Sequence, residues 1–437
     1  MDQIIFAITL LITLVVFGFT ASRYVRLFML TKPAFPVRDI GKRIILVIEV
    51  AIAQSKMFRK PFTGILHAFV FWGFIVMLFG SIEMVIDGLI GAERSLHIFG
   101  GLYDFLIAAG DLFALIITVA IIVFLCRRLF LHIKRFEGIE MKKVSHIDAK
   151  IALTIILLLM ITLLGLNSSY VAYQNNIGGE IFGVYPVSIY LAGIYTNMPV
   201  DTIHVHHEVH WWAHILLIFL FANILPYSKH FHVFMSVPNV FLSRLEPLGK
   251  LPNMENITRE VKLMMNPDTA FAEAPDDAPV ERFGVLDAED VSWKNYLDSL
   301  SCTECGRCTS VCPANITGKK LSPRKIMMDL RSRMKDKSKG LIKKGKDYSD
   351  DKSLIRNYIS EEELWACTTC NACAQECPIN IDHPKLIVDM RRYLVMEEGS
   401  APGGIKTVFN NIENNGAPWQ YSAEDRMIWS DNLELKK

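Results

Sequence analysis

Five stretches in the first 245 residues are each apolar over the roughly 20 residues needed to cross a bilayer. No other feature limits the fold so tightly, because lipid admits only helices or closed barrels. Gln3–Ser22, Pro61–Ile82, Ile151–Tyr170 and Val209–Ser228 contain no Asp, Glu, Lys or Arg, and the stretch from about Leu102 to Cys126 contains only Asp104 and Asp111. The first could pass for a secretory leader, but it lacks a basic start, its apolar run is too long and no small-residue cleavage site follows; it reads as a retained helix. Ile181–Val200 is also uncharged. Gly183, Pro186, Gly193 and Asn197 interrupt it, so it is expected to form an outer loop at the interface. Within residues 39–56, the apolar run Ile44–Ala53 between charged flanks predicts a helix lying in the inner interface.

The loops set an orientation. Nine Lys and Arg lie between the first and second spans (Arg23 to Lys60) and seven between the third and fourth (Arg127 to Lys150), against Arg94 alone on the other side. By the positive-inside rule the N-terminus is outside and the chain after the fifth span is cytoplasmic, at the inner membrane. Composition changes there: 33 of the first 245 residues are charged, but 58 of the remaining 192, as in a soluble domain. A net charge of +1 argues against nucleic acid as a partner.

Histidines inside spans are costly and usually functional. His67 lies near the inner end of the second span, and His214 and His232 bracket the end of the fifth. On one continuous helix, 18 residues make five full turns, which would put His214 and His232 on one face roughly 27 Å apart. That is the geometry of a haem ligand near each side of the membrane, with imidazoles supplied by facing helices. His67 and His232 are expected to share an inner haem b. His97 is taken as the outer partner of His214, with Met77 or no second haem as the alternatives. His204, His206, His207, Glu208 and His210 nearly spell a zinc motif, but the spacing misses the i, i+4 pair; a solvated polar loop at a helix start is expected there, with proton handling near a quinone or a metal site as the alternatives.

Eight of the nine cysteines form two runs, Cys302-x2-Cys305-x2-Cys308-x3-Cys312-Pro313 and Cys367-x2-Cys370-x2-Cys373-x3-Cys377-Pro378. This is the pattern of two-cluster ferredoxins, in which the fourth cysteine of each run serves the other cluster. Cys302, Cys305, Cys308 and Cys377 are assigned to one [4Fe–4S] cluster, and Cys367, Cys370, Cys373 and Cys312 to the other. Zinc would use paired knuckles instead, and Cys126 reads as packing. The 54 residues between the runs are too many for the short strands of a small ferredoxin. Ser322-Pro-Arg-Lys predicts a capped helix, Ile381–Val395 a second helix, and Lys335–Lys352 a charged flexible loop. The fold class is therefore all-α. Residues 1–245 form a five-helix transmembrane haem b bundle, 246–280 a linker, 281–400 a cytoplasmic helical two-[4Fe–4S] ferredoxin domain starting near Glu281, and 401–437 a partner-docking tail.

The membrane half, through His214 and Pro226-Tyr-Ser-Lys-His-Phe-His232, resembles the haem b subunits of respiratory nitrate reductase and heterodisulfide reductase. The soluble half resembles the iron–sulfur part of heterodisulfide reductase-like and anaerobic glycerol-3-phosphate dehydrogenase C-type proteins. Its matching residues are Cys302-x-x-Cys-Gly-Arg-Cys, Leu321-Ser-Pro-Arg, Cys367-Thr-Thr-Cys, Ile381-Asp-His383, Arg391-Arg392 and Leu394-Val395. The resemblance implies an electron-transfer subunit of a quinone-linked oxidoreductase, moving electrons between a cytoplasmic partner, the two clusters, one or two b haems and a quinone, taken as menaquinone. Two departures stand out. The second span lacks a second His, and the chain holds no Cys-Cys pair. A separate cysteine-rich subunit carrying that pair, working with an electron-transfer flavoprotein or a dehydrogenase, is the expected partner. The competing expectations are an anchored ferredoxin relay without quinone chemistry and a redox-sensing protein.

Overall fold

The computed structural model describes residues 2–266, 268, 282–422, 424–431 and 433. Among them the chain is helical, with only isolated bridges (Lys32 with Ser292, Ile355 with Ile359) in place of sheet. Five helices are long and apolar enough to cross a membrane: Gln3–Leu30, Pro61–Ile90, Gly101–Phe130, Lys143–Ile177 and the helical run Val200–Tyr227. Neighbours in sequence pack together, and the first helix closes the ring by packing on both the second and the fifth. Phe6, buried against Met84, Leu166, Ile215 and Phe219, fills the seam it covers. Gly73 lets the second and third spans approach, since a Cβ there would lie 2.7 Å from Ile117.

Residues Ile181–Val200 form no span; they fold into the short turns Ser188–Leu191 and Ala192–Tyr195. The reason is Asp111 of the third span, whose buried carboxylate accepts from Val187 N at 2.7 Å, Ser188 N at 2.9 Å and the Ser188 hydroxyl. It thereby satisfies backbone donors that a buried loop would otherwise leave open. Residues 39–56 are helical as expected, but Ile40–Leu46 continues into a π-helical turn, Val47–Ile52.

The continuous helix expected from His214 to His232 does not occur. Pro226 tightens the chain into the 3₁₀ turn Leu225–Tyr227, and Ser228 is extended. Its hydroxyl accepts from His230 N at 3.0 Å, and a new helix, His232–Phe241, begins at His232 itself. His214 and His232 therefore do not share one five-turn helix, because Pro226 cannot donate into the ladder and clashes with the preceding turn.

In the soluble half, Ser322 caps Pro323–Lys344 and Asp382 caps His383–Met396. The first of these helices takes up Lys335–Lys344 of the segment Lys335–Lys352 expected to be a charged flexible loop, and only residues 345–352 are non-helical. Arg333 and Lys337 are buried in it, both bound to Asp287 (2.6 and 2.8 Å), with Asp350 and Glu289 completing the network. Charge density signalled solvent here, and most of these charges are exposed, but Lys337 and Asp350 are paired internally. Of the linker 246–280, residues 246–266 and 268 are described and contain the helix Glu255–Met265; the rest, with Glu281, lies outside the described residues. In the tail, Gly403–Asn415 is helical.

Candidate functional site

The two cysteine runs fold into loops of the same shape. Glu304 and Gly306 in the first, and Thr369 and Asn371 in the second, adopt positive φ of 57°, 73°, 54° and 61°. These left-handed residues fall two and four positions after the first cysteine in both loops, and they turn backbone N–H groups inward, as anion-binding nests do. Thr369 N donates to Cys367 Sγ at 3.4 Å, and Glu304 N to the Cys302 sulfur. Each fourth cysteine precedes a proline, which holds it extended, and so sends its thiol away from its own loop. Cys377 comes to Cys302 and Cys305, and Cys312 to Cys367 and Cys373.

Burial pushes the Cys302 thiol up to about 11 and the Cys377 thiol up to about 12; iron binding would displace their protons. Among the described residues no three such side chains converge on one ion. Arg331 bonds Cys302 O at 2.9 Å, and Arg391 bonds the carbonyls of Leu364 and Cys367. The two groups differ in access: Cys302, Cys308 and Cys377 are buried, whereas Cys370 is exposed.

A cavity of about 610 Å³ runs through the helical ring, within the range of ligand sites. Its lining starts beside the first cysteine group, at Thr303, Cys305 and Arg307. It passes His67, His230 and His232, then Met77 and His214, and reaches Asn167, Asp111 and Arg94 near the other end. His232 is the titratable neighbour of His67, so the break at Pro226 does not prevent the pairing of the second span with the end of the fifth. Each of the three histidines named from sequence has its Nδ1 engaged. His67 meets Gln54 Oε1 at 3.0 Å, His214 meets Thr162 Oγ1 at 2.9 Å and His232 meets Lys229 O at 3.2 Å. Nε2 is then left as the nitrogen able to bind iron, the arrangement typical of ligating imidazoles. Gln54 is held for this role by its own Nε2–H bond to Ala51 O (3.0 Å) and by positive φ just after the π-turn.

His97 is not brought to His214. It is exposed, stacked on Phe182 at 4.2 Å, with Nδ1 bonded to Arg94 O, while Met77 lines the cavity. The histidines of 204–210 form no loop and no metal site; they lie on the helix Val200–Ile224. His207 pairs with Glu93 at 3.0 Å, His204 packs on Tyr173, His206 on Tyr195 and His210 against Gly165. His230, Gln54 and Thr162 escaped sequence reasoning. Only the repeated His-x-His at 230–232 could have flagged one of them, because the other two are set by tertiary contact.

The cysteine loops are fixed onto the bundle. Arg324, fully buried, bonds Glu140 and the carbonyls of Arg135 and Glu137. Arg307 donates to Lys56 O at 3.0 Å, and Lys56 Nζ reaches Cys377 O at 3.2 Å. Lys229 meets Glu304 at 3.4 Å. Burial raises the Glu304 carboxyl, but Arg331 and Lys229 outweigh it and hold the group below the usual range. Burial lowers Lys229, and Glu304 opposes that shift.

Residues 301–381 match the 4Fe-4S dicluster domain family. "Probable iron-sulfur-binding oxidoreductase FadF" of Bacillus subtilis is 29% identical over 86% of this chain and 53% of its own length. "EtfAB:quinone oxidoreductase" of Syntrophomonas wolfei is 28% identical over 98% of this chain and 60% of its own length. "Probable membrane-anchored ferredoxin" of Chromohalobacter salexigens is 36% identical over 36% of this chain and 25% of its own length. Over 33% of its length the chain is also 29% identical to part of the dihydromethanophenazine:CoB–CoM heterodisulfide reductase of Methanosarcina acetivorans. No solved structure matches. The relatives are thus heterodisulfide reductase-like iron–sulfur oxidoreductases, and the chain spans just over half the length of the first two.

Proposed function

We propose that the chain is a membrane electron-transfer subunit of a quinone-linked oxidoreductase, carrying electrons between a partner at its cytoplasmic face, two [4Fe–4S] clusters, haem b within the ring and a quinone. One observation supports this most: the histidine-lined cavity is continuous from Cys305 to His214 and beyond. Cys302, Cys305, Cys308 and Cys377 would hold the cluster next to the cavity. Cys367, Cys370, Cys373 and Cys312 would hold the one nearer the surface, where exposed Cys370 offers the point of exchange with a cysteine-rich or flavoprotein partner. His67 and His232 would bind the inner haem through Nε2, and His214, with Met77 in the same cavity, an outer one. Bound there, these groups supply one-electron steps, and the protein supplies position and potential.

Gln54, Thr162 and the Lys229 carbonyl fix the three imidazole planes. Gly306 and Arg324 hold the first cysteine loop against the loop carrying Arg135. The orientation, N-terminus outside, is supported by the basic loops: Arg23, Lys56 and Arg59 lie at the end where the soluble half docks. Exposed Trp419, Met427 and Trp429 in the tail suit partner docking.

The test is a reduced-minus-oxidised spectrum of the purified chain with haem and iron counted and a menaquinol analogue as reductant. One or two b haems, about eight non-haem irons and reduction by quinol are expected. Iron without haem would leave the anchored ferredoxin relay.

A further inference from the structure

Three arginines surround one aromatic ring at the inner end of the cavity. The guanidinium carbons of Arg128, Arg135 and Arg127 lie 4.5, 5.2 and 5.9 Å from the centre of the Phe136 ring. All four residues line the cavity together with His230 and His232. None of the three guanidinium groups has an ion pair or side-chain hydrogen bond among the described residues. Half-buried arginines normally find an acid, since a charge removed from water is costly unless paired. The Cys305 thiol next to Arg135 belongs to the first cysteine group, and the carboxylates nearby have other partners. Glu304 holds Lys229 and Arg331, Glu376 holds Arg307, Glu140 holds Arg324, and Glu137 pairs with His132. Asp148 accepts from Lys229 N. Cations at the end of a span commonly snorkel to lipid headgroups, but these three face the interior of the ring.

The geometry points to a binding site for a paired oxyanion. We propose that Arg127, Arg128 and Arg135 receive the two side-chain carboxylates of the porphyrin held by His67 and His232, a reading that rests on the proposed function. A porphyrin is apolar except along its carboxylate edge. The cavity matches that division, with apolar walls above and a triple guanidinium end beside Cys305. Arginine suits the task because its planar fork meets a carboxylate with two parallel N–H bonds. The carboxylate edge then faces the nearer cysteine group, and the three positive charges favour the reduced state of a haem at that end. A lipid phosphate offers the same oxyanion chemistry and is the alternative source.

The experiment uses the full-length chain in two ways. Haem-depleted protein is titrated with haem and with haem dimethyl ester, in which both carboxylates are blocked. Separately, Arg128→Gln/Arg135→Gln protein is compared with wild type for haem affinity, inner-haem midpoint potential and retained phospholipid phosphate, with exposed Lys134→Gln as the control. Unchanged iron content reports that each variant has folded. The expected result is roughly tenfold weaker binding of the ester by wild type, as for loss of a charge-assisted hydrogen bond. The double variant, which keeps Arg127 alone, should discriminate haem from ester several-fold less than wild type, with a lowered midpoint, while Lys134→Gln behaves as wild type. Equal binding of haem and ester by wild type overturns the proposal. So does a double variant that loses bound phosphate but keeps its haem affinity and potential, which assigns the site to lipid. A wild-type chain that takes up no haem overturns the underlying functional reading instead. If the double variant fails to fold, the ester comparison in the native chain still decides.

Discussion

At the scale of single residues, the site depends on two left-handed positions with different tolerance for side chains. Gly306 has φ 73°, and a Cβ there would lie 2.3 Å from the Arg135 carbonyl, so Gly306→Ala forces the cysteine loop off the bundle. The expected cost is about 1–3 kcal/mol together with loss of iron from the first group, read by iron counting. Asn371, at the same register in the second loop with φ 61°, already carries a side chain, and Asn371→Gly should leave iron content unchanged. Gln54 is the other decisive residue. Gln54→Leu removes the acceptor at His67 Nδ1, weakens the imidazole as a ligand, and should lower haem affinity at least tenfold while raising the midpoint potential. Gln54→Glu should move the potential the opposite way, and a potentiometric titration separates the two. Residue type and spacing singled out the two cysteine runs and three of the cavity histidines, His67, His214 and His232, but also His97, which lies outside the cavity. Gln54 was not legible, because nothing in a lone Gln thirteen residues before His67 signals that a π-turn aims it there.

At the scale of elements, Asp111 ties the third span to the loop Ile181–Val200 through three donors on Val187 and Ser188 and a fourth, Asn167 Nδ2, at 3.2 Å. Asp111→Ala leaves those buried donors open at about 1–3 kcal/mol each before relaxation. A clear drop in thermal midpoint in detergent is expected, with Asp111→Asn milder. The helix Pro323–Lys344 shows the same principle in the soluble half. Asp287 meets opposing influences: burial raises its carboxyl, but the hydrogen bonds from Arg333 and Lys337 prevail and hold it below the ordinary carboxylate range. A depressed folded pKa contributes stability above the unfolded value, roughly 4, and that contribution disappears as pH falls through the folded value. Unfolding followed from pH 6 down to pH 2 should therefore show acid destabilisation in the wild type beginning near pH 4, and a weaker acid dependence in Asp287→Asn.

At the scale of the whole molecule, the soluble half is seated on the bundle by buried contacts. Arg324 with Glu140, and Lys229 with Glu304, are each nearly inaccessible to solvent, where salt screens little. On the proposed function, electron exchange between the clusters and a haem in the cavity should therefore keep its rate as ionic strength rises, measured by stopped-flow reduction of the purified chain. Glu140→Ala strands the Arg324 charge, a loss of about 3–5 kcal/mol, and should slow that step and expose the soluble half to protease. A rate that falls steeply with salt in the wild type would show a loosely tethered domain.

Apolar length, the asymmetry of basic loops and the doubled cysteine spacing were enough to specify five membrane-length helices, the end of the bundle that carries positive charge and a dicluster domain. Those features are local, and lipid and iron each accept few solutions. Tertiary structure decided what depends on distant partners. Pro226 broke the helix, yet the chain still brought His232 to His67, because Ser228 restarted it one turn later. Lys335–Lys344 is helical with Lys337 buried in it, where Asp287 and Glu289 lie within reach of its ammonium. His97 was left at the surface because Arg94 and Phe182 held it there. The cavity, and the unpaired arginines at its inner end, exist only once four spans enclose a volume that no single stretch of sequence describes.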